Sequence, residues 1–182
     1  MNTTIERCEL ASDLSISRIL TGLWQIGDME KDDNHLDYNA KAASMLPYIE
    51  AGFTTFDMAD HYGSAEDIVG LFRRQQNPEK TVQLLTKWVP KPGITKREDV
   101  KVAVKRSMER MQVEQLDLLQ FHAWNYADPN WLDCLFWLQE LKEQGLIRHL
   151  GLTNFDTAHL RIVLHSGIEI VSNQVCYSLL DQ

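Results

Sequence analysis

Cysteine is scarce in this 182-residue chain: only Cys8, Cys134 and Cys176 occur, widely spaced and with no CxxC pair. That pattern argues against a disulfide framework or a zinc site and fits free thiols in a reducing cytosol. There is no run of ~18 apolar residues, so no membrane span is expected. The opening MNTTIERCELASD lacks an apolar stretch of signal-peptide length and is too acidic and Arg-poor to read as a targeting segment. A cytoplasmic protein is expected. No Lys/Arg-rich run offsets the 26 acidic against 18 basic residues, a net charge of −8, which argues against nucleic acid as a partner. Linkers, low-complexity tracts and repeats of 20–50 residues are also missing. No GxGxxG follows the first strand candidate, which runs TGLWQIG, and this argues against a Rossmann sheet.

What is present is a regular alternation. Hydrophobic residues make up 44% of the chain, enough for one buried core. Periodicity predicts strands at Ile16–Ile26, Thr54–Ala59, Val82–Trp88, Leu116–Trp124, Arg148–Thr153 and Glu169–Val175. Helices are predicted near 38–51, 64–76, 96–112, 129–144 and 156–166. Thr95 and Glu98 read as a capping box for the third helix, with Val100, Ala103, Val104, Met108 and Met111 on its apolar face. Asp128 and Pro129 read as the N-cap and first position of the fourth, which carries Trp131, Leu135, Leu138 and Leu141. Trp131, Phe136 and Trp137 are expected to pack the barrel. The basic residues Lys96, Arg97, Lys101, Lys105 and Arg106 are expected on a solvated face. Gly52, Gly145 and Gly167 fall where left-handed C-caps favour glycine. Leu10–Ser17 could form a small hairpin around Ser12-Asp13.

Parallel strands joined by helices give an α/β class, with a (β/α)8 barrel preferred over a doubly wound sheet. Six strands are legible, whereas such a barrel needs eight and typically ~250 residues. Residues 1–182 are therefore expected to form a single partial barrel domain of about six βα units. A truncated product, a fragment, or a chain completed by another chain would each fit, and open barrel edges would favour self-association.

Five polar residues stand at the ends of successive strands: Asp57, Lys87, His122, Asn154 and Gln174, with Tyr62 one short loop after the first. Their steps of 30, 35, 32 and 20 residues are each about one strand-plus-helix unit. A barrel gathers a site in this way at one rim. Tyrosine is a poor acid near neutrality, and a neighbouring ammonium such as Lys87 would lower its pKa. Asp57 would supply the counter-charge. His122 could bond a substrate oxygen or pass a proton to Tyr62, making a tuned general acid beside a carbonyl. Such a site still needs a hydride source, which implies a nicotinamide cofactor whose carboxamide the Asn154 and Gln174 amides would suit. A metal reading of Asp57, Asp60, His61 and His122 as a hydrolase centre is opposed by Lys87 at the same rim.

The chain resembles the aldo-keto reductase family in six segments taken in order. These are Thr21-Gly22-Leu23-Trp24, Gly52 to Gly63 (GFTTFDMADHYG), Leu85-Thr86-Lys87-Trp88, Asp117 to His122 (DLLQFH), Gly151 to Phe155 (GLTNF) and Asn173 to Leu180 (NQVCYSLL). The resemblance implies an NADP(H)-dependent reductase of small-molecule aldehydes or ketones. Tyr62 would be the proton donor in a tetrad with Asp57, Lys87 and His122. Thr153, Asn154 and Gln174 would hold the nicotinamide, with Trp24 and Asp57 nearby, and Trp24 and Trp88 would line the pocket. Thr153 stands where many members have serine. The part that in the family supplies a stacking aromatic, phosphate-binding basic residues and a substrate loop lies beyond the sixth strand. The alternative to an enzyme is a catalytically silent paralogue acting as an interaction module.

Overall fold

The structure is a computed structural model and describes residues 5–27, 36–75, 82–127 and 129–180. It opens with an antiparallel hairpin, β1 (Arg7–Ala11) and β2 (Leu14–Ser17). Ser12 and Asp13 make its turn, as the sequence reading expects. The first long strand candidate, Ile16–Ile26, divides in two. Ile16 and Ser17 belong to β2, and only β3 (Thr21–Gly22) joins the main sheet.

That sheet is parallel and six-stranded, in sequential order: β3, β4 (Thr55–Asp57), β5 (Gln83–Trp88), β6 (Leu116–His122), β7 (Ile147–Thr153) and β8 (Ile170–Gln174). Sequential order with helical crossovers curls the sheet into part of a (β/α)8 barrel. Between the strands lie α1 (Tyr38–Ala43) and α2 (Leu46–Glu50), then α3 (Ala65–Gln75), α4 (Arg97–Met111), α5 (Asn130–Glu143) and α6 (Thr157–His165). The predicted helix over 38–51 is thus two short ones. Pro47, in the first turn of α2, has no N–H to donate, and its ring would clash with the carbonyl four residues back, so α1 cannot run through it.

Helix starts differ from expectation by a residue. Lys96 has an extended backbone and donates its N–H to Asp99 Oδ2 at 2.8 Å, so the box is Lys96 with Asp99 and not Thr95 with Glu98. Thr95 is held one residue further out because its N–H bonds Asn130 Oδ1 at the head of α5, 2.9 Å away. Pro129 precedes α5, which begins at Asn130. Asp128 lies outside the described residues.

Side chains alternate across the strands, and the register sets the parity of the whole sheet. Asp57 pairs with Leu85, Lys87 with Gln120, His122 with Thr153, and Thr153 with Gln174. These residues share the concave face. Phe56, Leu84, Leu119, Phe121, Leu150 and Leu152 share the other, where the helices bury them in the main core. Each large apolar side chain buried there contributes about 1.5–3 kcal/mol. A second cluster fills the concave side at the other end: Leu14 and Ile16 of the hairpin pack with Leu85 and Leu118. His149 Nε2 ties the hairpin to β7 by meeting Asp13 Oδ1 at 2.6 Å.

The fourth predicted helix packs as expected through Trp131, Leu135, Leu138 and Leu141, but Phe136 is exposed rather than part of the packing. Gly70 marks a close approach. A Cβ there would sit 2.0 Å from the backbone oxygen of Arg110, so only glycine lets α3 lie this near α4.

Candidate active site

The strand ends open on one cavity of about 380 Å³. Its lining includes Trp24, Tyr62, Lys87, His122, Thr153, Asn154 and Gln174, seven of the nine residues that the sequence singles out. Each arrives at the end of its strand or in the loop just after it, so the sequential strand order brings them together.

Asp57 lies beneath the cavity and organises its floor. Lys87 Nζ donates to Asp57 Oδ2 at 2.6 Å and to the Met58 carbonyl at 3.1 Å. The two side chains are only 7% and 13% exposed, so this is a buried ion pair. Gln120 Nε2 donates to Asp57 Oδ1 at 3.1 Å, and Gln174 Nε2 donates to Oδ2 at 3.3 Å. Gln120 has no place in the sequence reading. Its signal is parity: it stands two residues before His122, on the same face of β6.

Tyr62 follows β4 in a tight turn, its ring edge-on to Trp24 with centroids 4.6 Å apart. Lys87 Nζ lies 5.6 Å from the Tyr62 ring centre. The expected acidification does not follow. Burial pushes the Tyr62 hydroxyl above its ordinary value of 10.0, and the Asp57 carboxylate pushes the same way. Burial is the larger cause, and Lys87 does not offset it while its ammonium is paired with Asp57 at 2.6 Å. Burial also draws the Lys87 ammonium below its usual value, with Asp57 opposing. His122 is held below 6.5 by burial first, then by His61 and Lys87, which keeps the imidazole neutral at pH 7.

Asn154 adopts a left-handed backbone, φ 57°, directly after β7. Its N–H donates to the Gln174 carbonyl at 2.8 Å, and Asn173 clamps the next residue by bonding both the N–H and the C=O of Phe155. The hydrogen bonds of Asn154 among the described residues run through its backbone, which leaves its side-chain amide for a ligand. Thr153 Oγ1 donates to the Phe121 carbonyl at 3.3 Å.

Trp88 is a correction. It is 5% exposed and packs against Phe121, with centroids 5.7 Å apart, in the core behind the sheet. Lys87 faces the cavity, so its neighbour on the strand must face away. The aromatic wall is instead Trp124, two residues after His122, with its ring 4.9 Å from the His122 ring. His61 also lines the cavity. Behind it, Asp60 is gripped by Arg106, whose Nη2 donates to Oδ2 at 2.9 Å, while Arg110 bonds the Asp60 carbonyl at 3.1 Å. Arg106, with its side chain 42% exposed, keeps to the solvated face and also braces the loop that carries Tyr62.

The Aldo/keto reductase family matches residues 18–182. An NADH-specific methylglyoxal reductase of Escherichia coli (strain K12) is 28% identical over 94% of this chain and 58% of its own length. A thermostable aldo-keto reductase, Tm1743, solved with the inhibitor epalrestat, superposes with a TM-score of 0.81 at 26% identity, covering 95% of this chain and 63% of that one. An aldo-keto reductase from Klebsiella pneumoniae, solved with NADPH, gives a TM-score of 0.78 at 24% identity over 96% and 59%, a likeness of fold. The chain spans between 36% and 60% of the length of the curated relatives it matches. With the family's match running through every strand of the sheet, the chain belongs to the aldo/keto reductase family.

Proposed function

We propose that the rim formed by this chain reduces an aldehyde or ketone to an alcohol, drawing on a nicotinamide dinucleotide. The observation that carries this reading is the single cavity shared by Tyr62, Lys87 and His122 with the amides of Asn154 and Gln174. The residues fit such a cofactor. Its carboxamide needs both a donor and an acceptor. Asn154 offers a side-chain amide with both, and Gln174 spends Nε2 on Asp57 and keeps Oε1. When bound, the nicotinamide supplies the hydride for the carbonyl carbon.

The chain's own residues handle the oxygen and its proton. Tyr62 remains protonated through neutral pH, since burial raises its pKa, and the proton it donates passes to the carbonyl oxygen. Lys87, locked by Asp57 and the Met58 carbonyl, presents a fixed positive charge near the Tyr62 ring as negative charge develops. Neutral His122 can donate one ring N–H to the same oxygen and orient it. Trp24 and Trp124 wall the carbonyl pocket. NADPH is proposed over NADH on the family resemblance, and the NADH-specific relative makes the comparison necessary. A cytoplasmic setting is proposed from the composition.

The test is oxidation of NADPH and NADH with a reactive aldehyde, read by nucleotide absorbance. Tyr62→Phe should retain the fold and lose about 10²–10⁴-fold in turnover, the usual worth of a positioned acid. Undiminished turnover in that variant would remove Tyr62 from the role.

A further inference from the structure

Glu66 is the second residue of α3 and takes no part in the reduction as described. It is 1% exposed. Its Oε1 accepts from Thr86 Oγ1 at 2.7 Å. Thr86 directly precedes Lys87 on β5, so the two side chains leave opposite faces of the sheet and Glu66 lies behind the cavity, not in it. Glu66 Oε2 lies 3.5 Å from Arg110 Nη1 of α4 and makes no hydrogen bond among the described residues. The same nitrogen donates to the Asp60 carbonyl at 3.1 Å. Asp60 in turn donates its N–H to the Lys87 carbonyl at 2.9 Å. The contacts close a ring that runs Lys87, Asp60, Arg110, Glu66, Thr86 and back along β5 to Lys87.

Tyr62 hangs between two points of this ring. Asp60 stands two residues before it and Glu66 four residues after it, and each is tied to β5 beside Lys87. The segment is therefore held at both ends against the strand that carries the ammonium. A carboxyl is a costly group for this place. Burial pushes Glu66 above its ordinary 4.5, against the pull of Thr86, Ser107 and Arg110. An apolar side chain would fill the space without that cost, but it could not join Thr86 to Arg110. We propose that Glu66 is a positioning residue, which fixes the Tyr62 segment against β5 and so sets the Tyr62 hydroxyl relative to Lys87. This rests on the carbonyl-reduction reading for its effect on turnover.

The experiment measures kcat and KM for a reactive aldehyde with saturating NADPH in the parent, Glu66→Leu and Thr86→Val. Alongside, the alkaline absorbance titration of Tyr62 is taken as the difference between each protein and its Tyr62→Phe form. Leucine unties both contacts of Glu66. It should lower kcat at least about tenfold, since small misplacements of a reacting group are this costly, with KM little changed. The Tyr62 titration should move down toward 10.0, because a loosened segment loses the burial that raises it. Thr86→Val unties one contact and should move both readouts the same way by less. It carries the test if the leucine variant does not fold. Unchanged kcat, or an unmoved Tyr62 titration, in a folded variant overturns the assignment while the reductase reading stands. If the parent reduces no aldehyde with NADPH or NADH, the reductase reading falls, and the Tyr62 titration alone decides whether Glu66 holds the segment.

Discussion

Replacing Lys87 by methionine removes one half of the buried pair on which the site is built. Methionine has a similar length and no charge, so the space stays filled. Asp57 keeps its two amide donors, Gln120 and Gln174, at 3.1 and 3.3 Å, but loses the ammonium at 2.6 Å. With only 13% of the Asp57 side chain exposed, water cannot replace that charge well. Breaking a buried pair from one side costs about 3–5 kcal/mol. Removing both partners together costs far less, because no lone charge is left in the core. The assay is urea unfolding followed by tryptophan fluorescence for the parent, Lys87→Met, Asp57→Asn and the double variant. Each single variant should lose about 3–5 kcal/mol, and the double variant should recover at least half of the summed loss. Additive losses, or a Lys87→Met loss below about 1 kcal/mol, would refute the view that the pair is dry and coupled.

Gly70→Ala should force α3 off the Arg110 carbonyl and lower stability by about 1–3 kcal/mol, visible as a drop of several degrees in Tm. The raised pKa of Tyr62 contributes stability that is full below its ordinary 10.0 and is lost as pH rises through the folded value. Tyr62→Phe should therefore flatten the alkaline limb of the Tm profile, and an unaltered limb would contradict the burial argument. His122 has the opposite sense: its folded pKa lies below 6.5, so the unfolded chain takes up the proton first and stability falls as pH drops through 6.5. In His122→Gln the loss between pH 7 and pH 5 should shrink, which a pH series of melts would read.

Much of this site was legible because the chemistry sits at strand ends. A mainly apolar run that ends on a polar residue marks both a strand and its rim, as in Leu118-Leu119-Gln120-Phe121-His122. Parity decided what was missed. Lys87 and Trp88 are adjacent in sequence and lie on opposite faces of β5, so a pocket containing one excludes the other. The Arg106–Asp60 brace joins residues 46 apart in the chain, and nothing local in α4 distinguishes Arg106 from its exposed basic neighbours. The Tyr62 acidity failed because burial disfavours the phenolate, with the Asp57 carboxylate adding to it, and neither can be read from the residue types around Lys87. The split between α1 and α2 could have been read from Pro47 alone.

The most direct test of the central claim is a titration of the chain with NADPH, and in parallel with NADH, following energy transfer from tryptophan to the nucleotide. Trp24 and Trp124 both line the cavity, whereas Trp88 is screened behind the sheet. Saturable quenching is expected, and it should weaken when Asn154 is replaced by alanine. A folded chain that shows no saturable response to either nucleotide would contradict the claim that this rim holds a nicotinamide.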